Sequence, residues 1–260
     1  MNYWMDLSIQ YANQRNYLDD LFCVYPTIPN GIREIDQDRW SNIEQAFMNK
    51  DDNVLIKYLL YLDLFPIKDS YVAFLKRDPT AIKRNPKTVA RLCGRLYEMG
   101  LDKIYEKCTE PKETNRQIGP LFKRWCKTKA LGVVPVTLHE FCKNNDNAIL
   151  NASDAEMQSW AAKVLGYKRN KGLDFIARFN GKYVIGEAKF LSDFGGHQDA
   201  QLEDAILTLK EPNVKAMKIA ILDGVVWLKT QNKMYKTITE KFSEENIMSA
   251  LVLREFLYSL

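Results

Sequence analysis

The most regular alternation of apolar and polar positions in the chain lies in residues 172–190, GLDFIARFNGKYVIGEAKF. Alternation with a period of two on both sides of Asn180-Gly181 predicts a β-hairpin, because Asn-Gly strongly favours a two-residue type I′ turn. That turn sets the register of the two strands, and the pairs of directly opposite residues then include Asp174 and Glu187. The sequence therefore predicts two carboxylates facing each other on one side of a hairpin.

Helical periodicity and turn residues organise the rest of the chain. Residues 1–110 carry helical patterns interrupted by Pro66, Pro79 and Gly100. In residues 111–260, helices over SDAEMQSWAAKVLGY and HQDAQLEDAILTLK flank the hairpin. AMKIAIL and VVWLKT predict a second strand pair around an Asp-Gly turn, before a final helix that begins at Ser243. This order predicts an α/β fold with a mixed sheet flanked by helices, preceded by an N-terminal helical region.

The composition is that of an ordinary globular protein, with 46% hydrophobic and 27% charged residues among 260. No apolar run approaches the roughly 18 residues of a membrane span, and the N-terminus does not resemble a secretory signal, so we expect a cytoplasmic protein. The five cysteines form no CxxC pair and only two histidines are present, which argues against zinc and histidine-rich metal sites. No GxxxxGKS or GxxxxGKT motif is present, which argues against the use of ATP.

Basic residues are concentrated in three segments, although the net charge is only +4. Residues 68–95 contain eight bases and two acids, and RQIGPLFKRWCKTK and KVLGYKRNKG follow nearer to the hairpin. Each segment could be an ordinary solvated surface, but three of them ahead of an acidic hairpin favour a polyanionic partner. The candidates for contact with that partner in the first segment are Lys83, Arg84, Lys87 and Arg91.

Asp174 and Glu187 would repel each other at the ~5 Å that separates directly opposite strand residues. Lys189 lies on the same face, because side chains alternate along a strand. A divalent cation removes the repulsion, and two carboxylates with a backbone carbonyl leave room for the waters that magnesium retains. Beside a metal, burial would lower the pKa of Lys189 and let it orient or deprotonate an attacking water, or the lysine could stabilise charge on a phosphate. The simpler alternative is ordinary salt bridges between these acids and Arg178, Lys182 or Lys189.

Asp174, a gap of twelve residues and then Glu187-Ala188-Lys189 resemble the motif of the PD-(D/E)xK nuclease superfamily, which includes most type II restriction endonucleases. Leu173 stands where the motif often has a proline. The resemblance covers about residues 150–230 and implies that Asp174, Glu187 and the backbone carbonyl of Ala188 bind Mg²⁺, while Lys189 assists the attacking water. It also implies a restriction-endonuclease-like fold and sequence-specific hydrolysis of double-stranded DNA that leaves 5′-phosphates. A homodimer and a cognate DNA methyltransferase encoded nearby in a prokaryote would accompany this activity.

Four further polar residues flank the motif. Glu156 could join the metal site, as an acid of the preceding helix does in parts of the superfamily. However, Ser153-Asp154-Ala155-Glu156 also has the pattern of a capping box, which we favour. After the motif, Gln201 could hold a phosphate or a water and Gln198 could read an adenine edge, or both could face solvent. For His197 we expect helix capping or solvent exposure.

Other functions remain open on the sequence alone. The nearest alternative is a repair or junction-resolving nuclease of the same superfamily. A short helix, the Asp78-Pro79 turn and a basic helix are also compatible with a non-catalytic helix-turn-helix regulator, which would have no need for Asp174 opposite Glu187. A pure interaction protein leaves both the acid pair and the basic segments unexplained. Gly186, which packs poorly in a strand, suggests close approach of another group at that position.

Overall fold

A computed structural model describes residues 1–26, 33–111 and 117–260 of the chain. The helices of its first part are α1 (Tyr3–Gln14), α2 (Tyr17–Val24), α3 (Gln37–Met48), α4 (Asp52–Leu60), α5 (Val72–Arg77), α6 (Ala81–Arg84), α7 (Pro86–Met99) and α8 (Leu101–Thr109). The second part contains α9 (Ile118–Cys126), α10 (Leu138–Lys143), β1 (Ala148–Ile149), α11 (Asp154–Leu165), β2 (Phe175–Phe179), β3 (Lys182–Leu191), α12 (Gly196–Lys210), β4 (Met217–Gly224), α13 (Lys233–Lys236), β5 (Ile247–Met248) and α14 (Leu253–Tyr258).

The chain divides into two compact units, and they are not separated by a single boundary near residue 110. Unit 1 contains residues 1–28 and 114–260, and unit 2 contains residues 29–113. The first two helices belong to unit 1 because Met5, Ile9 and Leu21 are buried in the same core as the central sheet. The free energy gained by burying these side chains places the two helices in unit 1, although they are far from the sheet along the chain.

Unit 2 is helical, as its sequence pattern predicts. Its core is formed by side chains of α3, α4 and α7, among them Ile43, Leu55 and Leu92, which are fully buried. Pro86 is the first residue of α7 and Gly100 follows its last residue with a positive φ of 77°, so both ends were readable from the sequence.

Unit 1 is built on a five-stranded mixed sheet with the order β1-β2-β3-β4-β5. The first three strands pair antiparallel, whereas β4 lies parallel to both β3 and β5. Helices cover both faces: Ile176 and Ile185 pack in one core with Trp160 of α11, and Phe175 packs in the other with Phe122 of α9. The α/β fold with a mixed sheet flanked by helices is thereby confirmed. In the described part of the chain, no helix has the length and apolarity needed to cross a bilayer.

The hairpin has the register that its turn predicts. Asn180 and Gly181 both have positive φ angles, of 49° and 75°, as a type I′ turn requires. The pairing runs from Phe179 opposite Lys182 to Phe175 opposite Gly186. Asp174 lies one residue before β2, and its N–H donates to the carbonyl oxygen of Gly186 at 3.2 Å.

Gly186 is explained by the neighbouring strand. A Cβ at this position would lie 2.6 Å from Cγ1 of Ile219 and 2.9 Å from its carbonyl oxygen, closer than real Cβ contacts. The group that approaches Gly186 closely is therefore β4 of the same sheet.

Two predicted elements are wrong. VVWLKT does not form a strand, because residues 225–227 form a 3₁₀ turn in which the buried Trp227 donates from Nε1 to the carbonyl of Leu222 at 2.6 Å. The final helix does not begin at Ser243. Instead, Ile247 and Met248 are fully buried as β5 beside β4, and α14 begins only at Leu253. In both places tertiary burial overrides the local pattern.

A buried carboxylate holds α2 and the residue after it to the sheet. Asp223, at the end of β4, accepts hydrogen bonds from the hydroxyls of Tyr17 at 3.2 Å and Tyr25 at 3.0 Å. The hydroxyl of Ser249 and the N–H of Ala250 donate to the same carboxylate. Burial raises the pKa of Asp223 to about 7 even though four groups donate to it. Three segments far apart in sequence thus meet at one side chain.

Candidate active site

Asp174, Glu187 and Lys189 meet at the end of the hairpin, as the register predicts. Nζ of Lys189 lies 2.9 Å from Oδ2 of Asp174 and 2.7 Å from Oε2 of Glu187. Strand alternation places Glu187 and Lys189 on one face of β3, and Asp174 reaches that face from the residue before β2. One ammonium group therefore bridges the two carboxylates.

The backbone of β3 also holds Asp174. The N–H of Ala188 donates to Oδ2 of Asp174 at 3.0 Å. In an extended strand the N–H and the carbonyl of one residue point towards the same edge, so the carbonyl of Ala188 points to the side on which Asp174 lies. The carbonyl of Ala188 therefore lies on the same edge of β3 as the carboxylate of Asp174.

Glu187 is the most deeply buried member of the cluster, with its side chain 1% exposed. Its Oε1 is buried and has no hydrogen-bond partner among the described residues, which is unusual for a buried carboxylate oxygen. Burial and the nearby Asp174 raise the pKa of Glu187, although Lys189 and Lys171 oppose that rise. A buried carboxylate oxygen without a partner among the described residues fits coordination of a cation.

The pKa values of Asp174 and Lys189 shift in opposite directions, because the two charged groups stabilise each other. Burial works against ionisation of Asp174, but Lys189 and the N–H of Ala188 outweigh it and hold the pKa of Asp174 below its usual value. Burial likewise works against the charge of Lys189, but the two carboxylates outweigh it and raise the pKa of this lysine.

A second lysine holds the other side of Glu187. Nζ of Lys171 lies 2.9 Å from Oε2 of Glu187 and is also paired with Oδ2 of Asp204 on α12. Asp204 is itself held by Arg169, whose guanidinium lies 3.0 Å from Oδ1. Arg169 and Lys171 are recognisable in the sequence only as members of a basic segment. Their contact with Glu187 and Asp204 depends on how α12 packs and has no local signal.

The cluster opens into a cleft of about 350 Å³. Its lining residues are Asp154, Ala155, Gln158, Asn170, Lys171, Gly172, Asp174, Glu187 and Lys189. Asp154, the first residue of α11, is thus an acid near the site that the sequence pattern did not single out. In the sequence, Asp154 stands out only as part of the capping segment Ser153-Asp154-Ala155-Glu156.

Glu156 forms the capping box. Its Oε2 accepts from the N–H of Ser153 at 2.9 Å, and its own N–H donates to Oγ of Ser153 at 3.3 Å. These bonds lower the pKa of Glu156, which is exposed and does not line the cleft. Within residues 1–26, 33–111 and 117–260, no group of three acidic, histidine or cysteine side chains is placed to hold a metal. The structure therefore separates Glu156 from the pair Asp174 and Glu187.

The residues of α12 divide between core and surface. Gln198 is buried, its Nε2 donates to Oγ of Ser192 at 3.3 Å, and it is not accessible to a base edge in this conformation. The reason is that Gln198 shares the inward face of α12 with Leu202. Gln201 is half-buried one turn before Asp204, on the side of the helix that contacts Lys171, and His197 is exposed in the first turn.

The four basic candidates of unit 2 also differ from one another. Arg84 pairs with Asp78, and Arg91 pairs with Asp69 at 2.6 Å. Lys83 and Lys87 are exposed at the end of α6 and the start of α7.

Comparison with known proteins identifies one family. The model of the family described as Tsp45I type II restriction enzyme matches residues 2–260. Neither the curated proteins nor the solved structures contain a match.

Proposed function

The chain belongs to the Tsp45I type II restriction enzyme family and is a DNA endonuclease, and we propose that Asp174, Glu187 and Lys189 form its magnesium-dependent active site. The observation that carries this proposal is the meeting of the three side chains around one buried carboxylate whose Oε1 has no partner among the described residues. Of the salt-bridge partners considered for these acids, Lys189 does pair with both, whereas Arg178 donates to the backbone carbonyls of Asp146 and Phe141 and Lys182 to that of Leu260. These salt bridges leave Oε1 of Glu187 without a partner among the described residues, and a bound cation would supply one.

The donor set suits magnesium. Asp174, Glu187 and the carbonyl of Ala188 are hard oxygen donors, and two carboxylates leave positions for the waters that Mg²⁺ retains. When bound there, magnesium would supply an acidified water and neutralise charge that develops on a phosphate.

Two lysines would have different roles beside the metal: Lys189 acts on the reacting groups and Lys171 positions Glu187. Lys189 faces the cleft, so its ammonium group can orient the attacking water or stabilise charge on the scissile phosphate. Lys171 keeps Oε2 of Glu187 engaged, and the pair Asp204 and Arg169 holds Lys171 in place. Oε1 of Glu187 is then free to bind the cation.

Cleavage of DNA at a defined site requires the enzyme to recognise the duplex and to reach both of its strands. We infer that the enzyme recognises a specific sequence in double-stranded DNA, leaves 5′-phosphates and acts as a homodimer that cuts both strands. A cognate DNA methyltransferase encoded nearby would protect the host genome. Within unit 2, the exposed Lys83 and Lys87 are better candidates for phosphate contact than Arg84 and Arg91, whose charges are paired. The match over residues 2–260 favours a restriction enzyme over a repair nuclease or a non-catalytic regulator.

A cleavage assay tests the proposal. The purified protein with Mg²⁺ should cut plasmid DNA into discrete fragments, and EDTA should stop the reaction. Asp174→Ala and Lys189→Ala should abolish cleavage while DNA binding persists. Undiminished cleavage by Asp174→Ala would refute the assignment of the site, and sequencing of the fragment ends would give the recognition sequence.

A further inference from the structure

The C-terminal end of α9 presents a basic, exposed face. Ile118, Leu121, Phe122 and Cys126 bury the other face in the core of unit 1. Arg124 and Lys127 lie three residues apart at the C-terminal end of α9, so they are neighbours on its surface. Lys129 follows beyond the end of the helix, with a positive φ of 64°. All three side chains are exposed. We call Arg124, Lys127 and Lys129 the α9 ridge.

Lys127 brings the ridge to the edge of the active site. Lys127 lines a narrow crevice that Asn151 and Asp174 also line. Lys123, one turn before Lys127, pairs with Asp154, which lines the catalytic cleft, and donates to the carbonyl of Ala152 at 3.3 Å. Asp174 thus belongs both to the catalytic cleft and to the crevice at the end of α9.

The charges of the ridge are not neutralised within the described chain. The charge of Lys123 is balanced by Asp154, whereas Arg124, Lys127 and Lys129 form no ion pair among residues 1–26, 33–111 and 117–260. Basic residues in the last turn of a helix interact favourably with its dipole, but this weak effect does not account for three exposed cations. Three unpaired cations beside a phosphodiesterase site instead match a polyanion held next to the reacting group.

We propose that Arg124, Lys127 and Lys129 bind backbone phosphates of the DNA strand adjacent to the scissile phosphate. The proposal rests on the proposed function, because it needs the phosphate to be cut beside Asp174. Contacts of this type position the duplex without reading its sequence, and they release counterions, so they make binding sensitive to salt. The ridge would therefore set affinity and register, while base recognition lies elsewhere.

The test compares two variants with equal loss of charge. The ridge variant is Arg124→Gln/Lys127→Gln/Lys129→Gln, and the control is Lys233→Gln/Lys236→Gln/Lys241→Gln. The control lysines are exposed in the same unit and line neither cleft. Binding to a duplex of ~30 base pairs of arbitrary sequence is measured in EDTA at several salt concentrations. Urea unfolding of each variant should match that of the wild type.

We expect the slope of log K against log salt to fall by about 0.9 for each phosphate that the protein no longer neutralises, and so by about 2 to 3 for the ridge variant. Lys127→Gln alone should lower the slope by about 0.9. In cleavage assays the KM for DNA should rise at least tenfold for the ridge variant (about 1.4 kcal/mol), with kcat nearly unchanged.

The outcomes separate the two proposals. If the wild type cleaves DNA but the ridge variant keeps the wild-type salt slope and KM, the ridge does not bind phosphates. The same conclusion follows if the control variant loses as much affinity as the ridge variant, because a general effect of charge would then explain both. If the wild type neither binds nor cleaves DNA, the proposed function itself is wrong.

Discussion

Nζ of Lys189 lies 2.7 Å from Oε2 of Glu187, whose other carboxylate oxygen is buried without a hydrogen-bond partner among the described residues. One oxygen of the acid is thus held by an ammonium group, and the other can accept a cation. This relationship explains how Glu187 stays buried beside Asp174, and it leads to predictions that separate catalysis, positioning and stability.

Lys189→Met should lower kcat by about 10² to 10⁴, because it removes the ammonium group that lines the cleft and bridges both carboxylates. Binding of DNA in EDTA should persist. Single-turnover cleavage measures the effect, and Lys163→Met, at an exposed position on α11, is the matched control. A kcat within threefold of wild type for Lys189→Met would contradict this role.

Lys171→Met should raise the Mg²⁺ concentration needed for half-maximal cleavage by about 10- to 100-fold. Residues that orient a metal ligand typically have effects of this size on metal affinity or activity. Direct titration with Mn²⁺ in the absence of DNA should show the same loss of affinity. Asp204→Asn should act in the same direction with a smaller effect, and Lys171→Arg should restore part of the loss. Unchanged Mn²⁺ affinity in Lys171→Met would show that Lys171 does not position Glu187.

Glu156→Ala should lower the free energy of unfolding measurably, because it removes half of the capping box at the start of α11. Cleavage per folded molecule should stay at the wild-type level. Urea unfolding and cleavage assays on the same preparation test both expectations. If Glu156→Gln, which can still accept the capping hydrogen bond, lost cleavage by 100-fold or more at unchanged stability, Glu156 would be a metal ligand after all.

Asp223 should make stability depend on pH. Its pKa is about 7 in the folded protein against an ordinary value of 3.8, so the folded state holds a proton that the unfolded state releases. This contribution to stability is complete below about pH 4 and is lost as the pH rises to about 7, by an amount on the order of a few kcal/mol.

Comparison of wild type with Asp223→Asn isolates this contribution. Urea unfolding between pH 4.5 and 8 should show a smaller decline for the Asn variant, because groups that titrate in both proteins cancel in the difference. Parallel curves would mean that Asp223 is ionised throughout this range.

The sequence by itself determined the features that depend on neighbouring residues. The Asn180-Gly181 turn dictates the pairing of β2 with β3, and strand alternation then places Glu187 and Lys189 on one face near Asp174. The capping box of Glu156 and the ends of α7 follow equally from local hydrogen bonding and backbone conformation. Such features can be predicted from the sequence, because the conformation of a turn or a cap is fixed by interactions among a few neighbouring residues.

Only the tertiary structure decided which distant segments share a core or a charge. It joins Tyr17 and Tyr25 to the sheet through Asp223, makes Ile247 and Met248 a strand, and brings Lys171 and Asp204 to Glu187. No local periodicity specifies these contacts, because each depends on the gain from burial or ion pairing between segments separated by many residues. The acid pair was therefore readable from the chain alone, whereas the residues that hold it in place were not.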